Sequence, residues 1–175
     1  YSKINLLLKV NSKYVNGLHE IQSLYCWINK IVKITINKIK KKKDIITFRG
    51  PFAKLVKSKD NTVFNLIKKL RELNLISNFY SIVITKNIPV FSGLGGGTSN
   101  AIFILKYLLK NKINNSLLNK IKTIAGSDSK LFFKKQGFLK NLRSVIDIKI
   151  KHKFYFVLIQ PRAKCSTKAI YSNVR

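Results

Sequence analysis

The residues best placed to do chemistry lie at Ile88–Asn100, where four of the chain's eight glycines fall between Gly93 and Gly97. The β-branched run Tyr80–Thr85 before them reads as a strand. Ala101, Ile104, Leu105 and Leu108 after them recur at the spacing of one helix face. The glycines therefore join a strand to a helix N-terminus. Glycine admits positive φ and lets backbone N–H groups approach a ligand closely. A helix start adds unpaired N–H groups and the positive end of the dipole, a combination that suits phosphate. Thr98 and Ser99 are expected to cap that helix or to bond a phosphate oxygen. An ordinary strand–turn–helix joint needs one glycine, so the cluster points beyond a turn.

Two common phosphate loops do not fit. A Walker A loop ends in Gly-Lys-Ser/Thr, whereas Gly97 is followed by Thr98 with no Lys. The dinucleotide fingerprint needs a last glycine where Thr98 stands and an acid about twenty residues on, and nothing from Asn111 to Ser116 is acidic.

The elements around the loop read as mixed strand and helix, hence an α+β fold. Ile4–Val10, His19–Ile28, Ile31–Ile36 and Ile45–Phe48 make an antiparallel β region over roughly the first fifty residues. Arg49-Gly50-Pro51 breaks it. Asp60-Asn61-Thr62 caps a helix with Val63, Leu66, Ile67 and Leu70 on its apolar face, ending near Asn74. The helix after the glycines runs to about Lys110, and Asn114-Asn115-Ser116 opens another that ends near residue 124. Phe138-Leu139, Ser144–Ile150 and Phe154–Ile159 read as strand, the last ended by Pro161.

Composition narrows the function classes. With 175 residues, 46% hydrophobic and 23% charged, the chain suits one domain with a real core, or one domain and part of another. No apolar run reaches membrane-span length and no signal-peptide pattern opens the chain. The net charge of +29 invites a nucleic-acid reading. Its lysines, however, are spread along the chain and come with abundant Ile and Asn, residues that share adenine- and thymine-rich codons. The one cluster, Lys38 and Lys40–Lys43, reads as a solvated hairpin loop before Asp44. Cys26 and Cys165 have no metal or redox spacing; Cys26 is expected to be a buried thiol, and the compartment reducing. There is no Met, and Tyr171–Arg175 carries no stop signal for an element, so a fragment is expected.

Pro89-x-x-x-Gly93-Leu94-Gly95-Gly96-Gly97-Thr98-Ser99-Asn100-Ala101 resembles the second motif of the GHMP kinases. The triple glycine followed by Thr-Ser-Asn-Ala is most similar to the branch that acts on 4-diphosphocytidyl-2-C-methyl-D-erythritol in non-mevalonate isoprenoid synthesis. Ser2-Lys3-Ile4-Asn5-Leu6, Gly17-Leu18-His19-Glu20-Ile21-Gln22-Ser23, Asp60-Asn61 and Gly126-Ser127-Asp128 resemble the other motifs of that branch, in order, from residue 2 to about 171. The resemblance implies a ribosomal-protein-S5-domain-2-like N-terminal domain over residues 1–153, and only the start of a ferredoxin-like domain over 154–175. The family's third glycine motif is absent. The implied activity is ATP-dependent phosphorylation of the substrate's 2-hydroxyl, with Mg²⁺ touched by Ser99 and no protein-built carboxylate site. The implied compartment is the bacterial cytoplasm or, second, the plastid stroma. The alternatives are another GHMP small-molecule kinase, favoured by Leu18 standing where the branch has an aromatic, and a basic S5-like module that binds RNA without catalysis.

The resemblance distributes roles by position. ATP falls to Pro89, Val90, Phe91, Ser92, Gly93, Leu94, Gly95, Gly96, Gly97, Thr98 and Ser99. Transfer to an alcohol needs a group for the hydroxyl proton and cations for the developing charge. Of the six acids, Asp44 follows the lysine loop, Asp60 suits an N-cap, Glu72 ends a helix and Asp147 has no motif. Asp128, whose bland alternative is a helix cap or structural Asp, becomes the base or hydroxyl-orienting group, and Lys3 the catalytic cation. Asn5, Leu18, His19, Thr167 and Tyr171 fall to the substrate, His19 to the cytosine edge. His152, in Lys151-His152-Lys153, reads as surface. Ser129-Lys130 stands where the branch commonly has Val-Pro.

Overall fold

A computed structural model describes residues 1–14, 19–28, 32–56, 61–90, 92–141 and 144–159. In chain order the strands are β1 (Ser2–Lys13), β2 (His19–Ile28), β3 (Val32–Ile39), β4 (Ile45–Arg49), β5 (Phe79–Lys86), β6 (Gln136–Asn141) and β7 (Ser144–Asp147). The helices are α1 (Thr62–Glu72), α2 (Gly96–Leu108) and α3 (Asn115–Ala125), with 3₁₀ turns at Ala53–Leu55 and Ser127–Phe133. The α+β expectation holds.

The strands divide between two sheets, one antiparallel in the order β1-β2-β6-β7 and one three-stranded in the order β3-β5-β4. The expected antiparallel region is therefore correct for β1 and β2 but not for β3 and β4. β5 lies between that pair, antiparallel to β3 and parallel to β4. Lys40–Lys43 are exposed bends, as expected of a solvated loop, but they do not close a hairpin. The physical reason is α1: it carries the chain from β4 back to a parallel neighbour, and parallel strands need such a crossover.

The helices begin where asparagines satisfy their free N–H groups. Asn61 accepts from the N–H groups of Val63 and Phe64, and Asn114 from that of Leu117. Asp60, the alternative cap, lies outside the described residues. The apolar stripe Val63, Leu66, Ile67 and Leu70 packs with Ile82 and Ile84 of β5, Ile104 and Leu105 of α2, and Leu118 and Ile121 of α3. Each such side chain contributes about 1.5–3 kcal/mol by leaving water. Tyr25, Leu131 and Leu139 form a smaller cluster against the four-stranded sheet. Cys26 is buried as expected, and burial pushes its thiol pKa up.

Two strand expectations at the far end need correction. β7 stops at Asp147 rather than Ile150. Phe154–Ile159 is irregular, with Tyr155, Val157 and Ile159 at 84–88% exposure. A β-rich composition makes a strand only where another strand takes up its N–H and C=O groups, and no partner for it stands among the described residues.

Candidate active site

β1 enters the site first. Residues i and i+2 of a strand share a face, so the Lys3-x-Asn5 spacing puts both side chains together. Lys3 Nζ donates to Asn5 Oδ1 at 3.1 Å and stands 3.3 Å from Asp128 Oδ2. Lys3 is a buried lysine, 7% exposed, so its environment is unlike that of the surface lysines. Its backbone N–H donates to the Leu94 carbonyl at 3.0 Å, which ties the start of β1 to the glycine loop.

The loop joins β5 to α2, as its composition predicts. The helix begins earlier than expected: Gly95, in the left-handed region at φ 66°, is the N-cap, and Gly96 and Gly97 form the first turn. Thr98 and Ser99 lie inside the helix and no side chain caps it. A Cβ on Gly95 would meet the Phe132 ring at 3.0 Å and Lys3 Cγ at 3.4 Å, and one on Gly97 would reach Thr62 Oγ1 at 3.4 Å. The missing side chains thus let β1, the 3₁₀ turn and the N-terminus of α1 close on the loop. The Thr98 hydroxyl is beside Gly126, 3.0 Å from where a Cβ would stand. Ser99 is buried and its hydroxyl donates to the Tyr1 carbonyl. Among the described residues no group of three His, Cys, Asp or Glu could hold a metal ion.

Asp128 rides on the 3₁₀ turn Ser127–Phe133, launched by Gly126 at φ 89°. Three bonds fix that turn. Ser129 N–H donates to the Gly126 carbonyl at 3.2 Å, Trp27 Nε1 to the Leu131 carbonyl at 2.8 Å, and Lys106 Nζ to the Phe132 carbonyl at 2.7 Å. The Lys106 ammonium also sits 4.4 Å from the Phe133 ring centroid and 5.1 Å from that of Phe103. Burial lowers its pKa. Neither Trp27 nor Lys106 carries a sequence motif, and only packing reveals them. Three other acids have structural duties. Asp44 accepts from Arg71 at 2.7 Å and from the Tyr80 N–H at 2.8 Å. Glu72 pairs with Lys69, and Asp147 with Lys134 and Lys151.

Lys86 is a further residue that motif reading misses. It is the last residue of β5, 5% exposed, on the inward side of the alternation with Ile82 and Ile84. A Cβ on Gly96 would stand 3.3 Å from its Nζ. Period-two reading of Ile82-Val83-Ile84-Thr85-Lys86 is the signal that would have found it.

The expected substrate residues are not all gathered here. Asn5 is at the pair, but the β1–β2 register sets His19 opposite Lys13, ten residues along β1 from Lys3. At about 3.3 Å per residue that is on the order of 30 Å of strand. Pro89, Val90 and Ser92 lie on the loop, half-buried. Phe91, Leu18, Thr167 and Tyr171 lie outside the described residues. His152 is exposed, as read from its neighbours.

Comparison with known proteins bears on the fold and the family. Residues 61–129, from the cap of α1 to the turn bearing Asp128, match the GHMP kinases N terminal domain. The chain is 39% identical over 181 residues to 4-diphosphocytidyl-2-C-methyl-D-erythritol kinase of Pelagibacter ubique, covering 99% of this chain and 63% of that protein. It is 32% identical over 191 residues to the kinase of the same name from a Sulfurihydrogenibium species, covering 99% and 63%. It thus spans under two thirds of the length of these curated relatives. Among solved structures, a 4-(cytidine 5'-diphospho)-2C-methyl-D-erythritol kinase superposes with TM-score 0.55 at 22% identity, over 75% of this chain and 46% of that one. Homoserine kinase from Cytophaga hutchinsonii superposes at 0.56 and 18%, over 87% and 53%. These two likenesses carry the fold, and with the sequence relatives they point one way: the chain is similar to the GHMP kinases, whose N-terminal domain matches residues 61–129.

Proposed function

We propose that this chain supplies the phosphate-binding and proton-handling part of an ATP-dependent kinase that phosphorylates the 2-hydroxyl of 4-diphosphocytidyl-2-C-methyl-D-erythritol. The observation that carries the reading is the Lys3–Asp128 pair at 3.3 Å, bonded through the Lys3 backbone to the glycine loop. The names of the relatives supply the substrate.

ATP brings a γ-phosphoryl group whose transfer breaks its bond to the bridging oxygen and makes one to the alcohol oxygen. The chain's own part is positioning and charge. The Asp128 carboxylate takes or orients the hydroxyl proton. Lys3, held by Asn5, offsets negative charge developing on the transferred group. The N–H groups at the start of α2 receive phosphate oxygens, as their freedom from side-chain caps allows. Mg²⁺ would arrive with the nucleotide and supply charge neutralisation on its phosphates; among the described residues no group of three His, Cys, Asp or Glu could hold it. The domain division at 153/154 belongs to the same proposal: exposed apolar residues from Phe154 to Ile159 suit a strand that pairs within a second domain.

The test is turnover by the full-length protein. Asp128→Asn should lower kcat with the cytidyl substrate by about 10²–10⁴-fold while nucleotide affinity and the melting temperature stay near wild type. Turnover unchanged in that variant would remove Asp128 from the reaction.

A further inference from the structure

We infer that Lys106 and Trp27 are positioning residues: together they clamp the 3₁₀ turn Ser127–Phe133, so that the Asp128 carboxylate keeps a fixed place beside Lys3 and the glycine loop. The inference rests on Asp128 acting on the hydroxyl proton, as proposed above, and gives it two supports that no motif contains.

Both supports belong to elements that carry the other parts of the site. Trp27 stands opposite Lys3 in the β1–β2 register, and residues opposite one another in an antiparallel pair share a face. Its indole N–H donates to the Leu131 carbonyl at 2.8 Å, and its backbone N–H to the Lys135 carbonyl at 2.8 Å. One residue thus holds the turn, and the chain just after it, against the strand pair that bears Lys3. Lys106 belongs to α2, the helix whose first turn is built from Gly96 and Gly97. Its ammonium donates to the Phe132 carbonyl at 2.7 Å. The Phe132 ring lies against the loop, where a Cβ on Gly95 would meet it at 3.0 Å, and its centroid is 6.3 Å from that of Trp27. Phe132 is therefore gripped at its carbonyl by the last turn of α2 and rests its ring on the N-cap of the same helix. The turn that bears Asp128 is fixed to the two bodies it must serve, the loop and the strand of Lys3.

The chemistry of Lys106 goes beyond packing. Its ammonium stands 4.4 Å, 5.1 Å and 5.6 Å from the ring centroids of Phe133, Phe103 and Trp27. Leu or Met would cover the same rings with no charge to withdraw from water. What the lysine adds is a charge-assisted hydrogen bond to one carbonyl. The last carbonyls of a short helix have no partner within it; here the indole takes one and the ammonium the next. Phosphoryl transfer is sensitive to such support, because a misplacement of about 1 Å costs on the order of 100-fold in rate.

The experiment is steady-state kinetics of the full-length protein with the cytidyl substrate, paired with hydrogen exchange at the Ser129 amide, which donates within the turn. Lys106→Met and Trp27→Phe should each lower kcat about 10- to 100-fold and leave KM for ATP near wild type. Each should also speed exchange at Ser129 about tenfold or more. Trp27→Phe keeps a ring in place and carries the test if Lys106→Met does not fold. In an Asp128→Asn background the same substitutions should change the residual kcat by less than about threefold, because their effect passes through the carboxylate. Wild-type kcat in the single variants, or an equal fall of kcat with and without the carboxylate, overturns the positioning role and leaves both contacts structural. Full turnover in Asp128→Asn alone instead overturns the reading of Asp128 and the positioning role with it, while faster exchange would still mark the clamp.

Discussion

Two sets of lysines in this chain teach opposite things about charge. Lys40–Lys43 lie on exposed bends between β3 and β4, in solvent. Lys3, Lys86 and Lys106 are buried or half-buried, each held by a defined neighbourhood: a carboxylate, a helix start, and a carbonyl under aromatic rings. All seven contribute equally to a net charge of +29. In solvent a lysine's charge is screened within about 10 Å; inside the fold it dominates whatever it faces. Total charge therefore says little about this protein, whereas each buried ammonium group has a defined neighbour.

Substitution should widen that contrast. The largest effect belongs to Lys3→Met, which removes the cation beside Asp128. Steady-state kinetics of the full chain should show kcat falling on the order of 10²–10³-fold with nucleotide affinity retained. A fall of less than tenfold would make Lys3 a structural partner of Asp128 only.

Next come the two side chains that hold the turn. Lys106→Met and Trp27→Phe each remove one bond to a carbonyl of Ser127–Phe133. Each should cost about 1–2 kcal/mol in denaturant unfolding, and the double variant less than their sum, because both bonds restrain one segment. Additive losses would show two independent structural contacts. If the turn positions Asp128, kcat falls in these variants while KM for ATP does not.

A smaller effect concerns pH. Burial keeps the Lys86 ammonium below its ordinary value. Between its folded value and about 10.4 the unfolded chain binds more protons than the folded one, so this position gains stability as pH rises through that window; below it the penalty is full. The stability advantage of Lys86→Met over wild type should accordingly shrink as pH climbs toward 10, measured by thermal unfolding. An advantage independent of pH would mean that folding leaves the lysine's pKa at its ordinary value.

The smallest effect is expected at the exposed loop. Replacing Lys40–Lys43 by Gln should change stability by no more than about 0.5 kcal/mol and leave kcat unaltered. A marked loss of RNA binding in that variant, steep in salt, would instead favour the nucleic-acid reading of these residues.

Much of the site was legible because its signals are local. A β-branched run, a glycine cluster and a one-face apolar pattern predict strand, loop and helix with no knowledge of neighbours, and β5 and α2 lie where they do for those reasons. Asn61 and Asn114 announce α1 and α3 by the same local logic of capping. Lys3 and Asp128 came through a resemblance, since nothing nearby sets one lysine among many apart; the structure adds the 3.3 Å contact between them. Phe154–Ile159 shows the limit of local reading, because its β-rich composition has no partner among the described residues.

What the sequence by itself determined is the order of β5, its loop and α2, the asparagine caps of α1 and α3, and a glycine-rich loop before α2, all properties of neighbouring residues. What only the tertiary structure decided is which strands lie side by side and which charges end up inside. β4 runs parallel beside β5 because α1 returns the chain across the sheet. Lys86 faces the start of α2 because the inward side of β5 meets the helix core there. Trp27 and Lys106 grip the turn of Asp128 across 104 and 26 residues of chain. Such contacts come from packing one apolar face against another, and no spacing within a single segment encodes them.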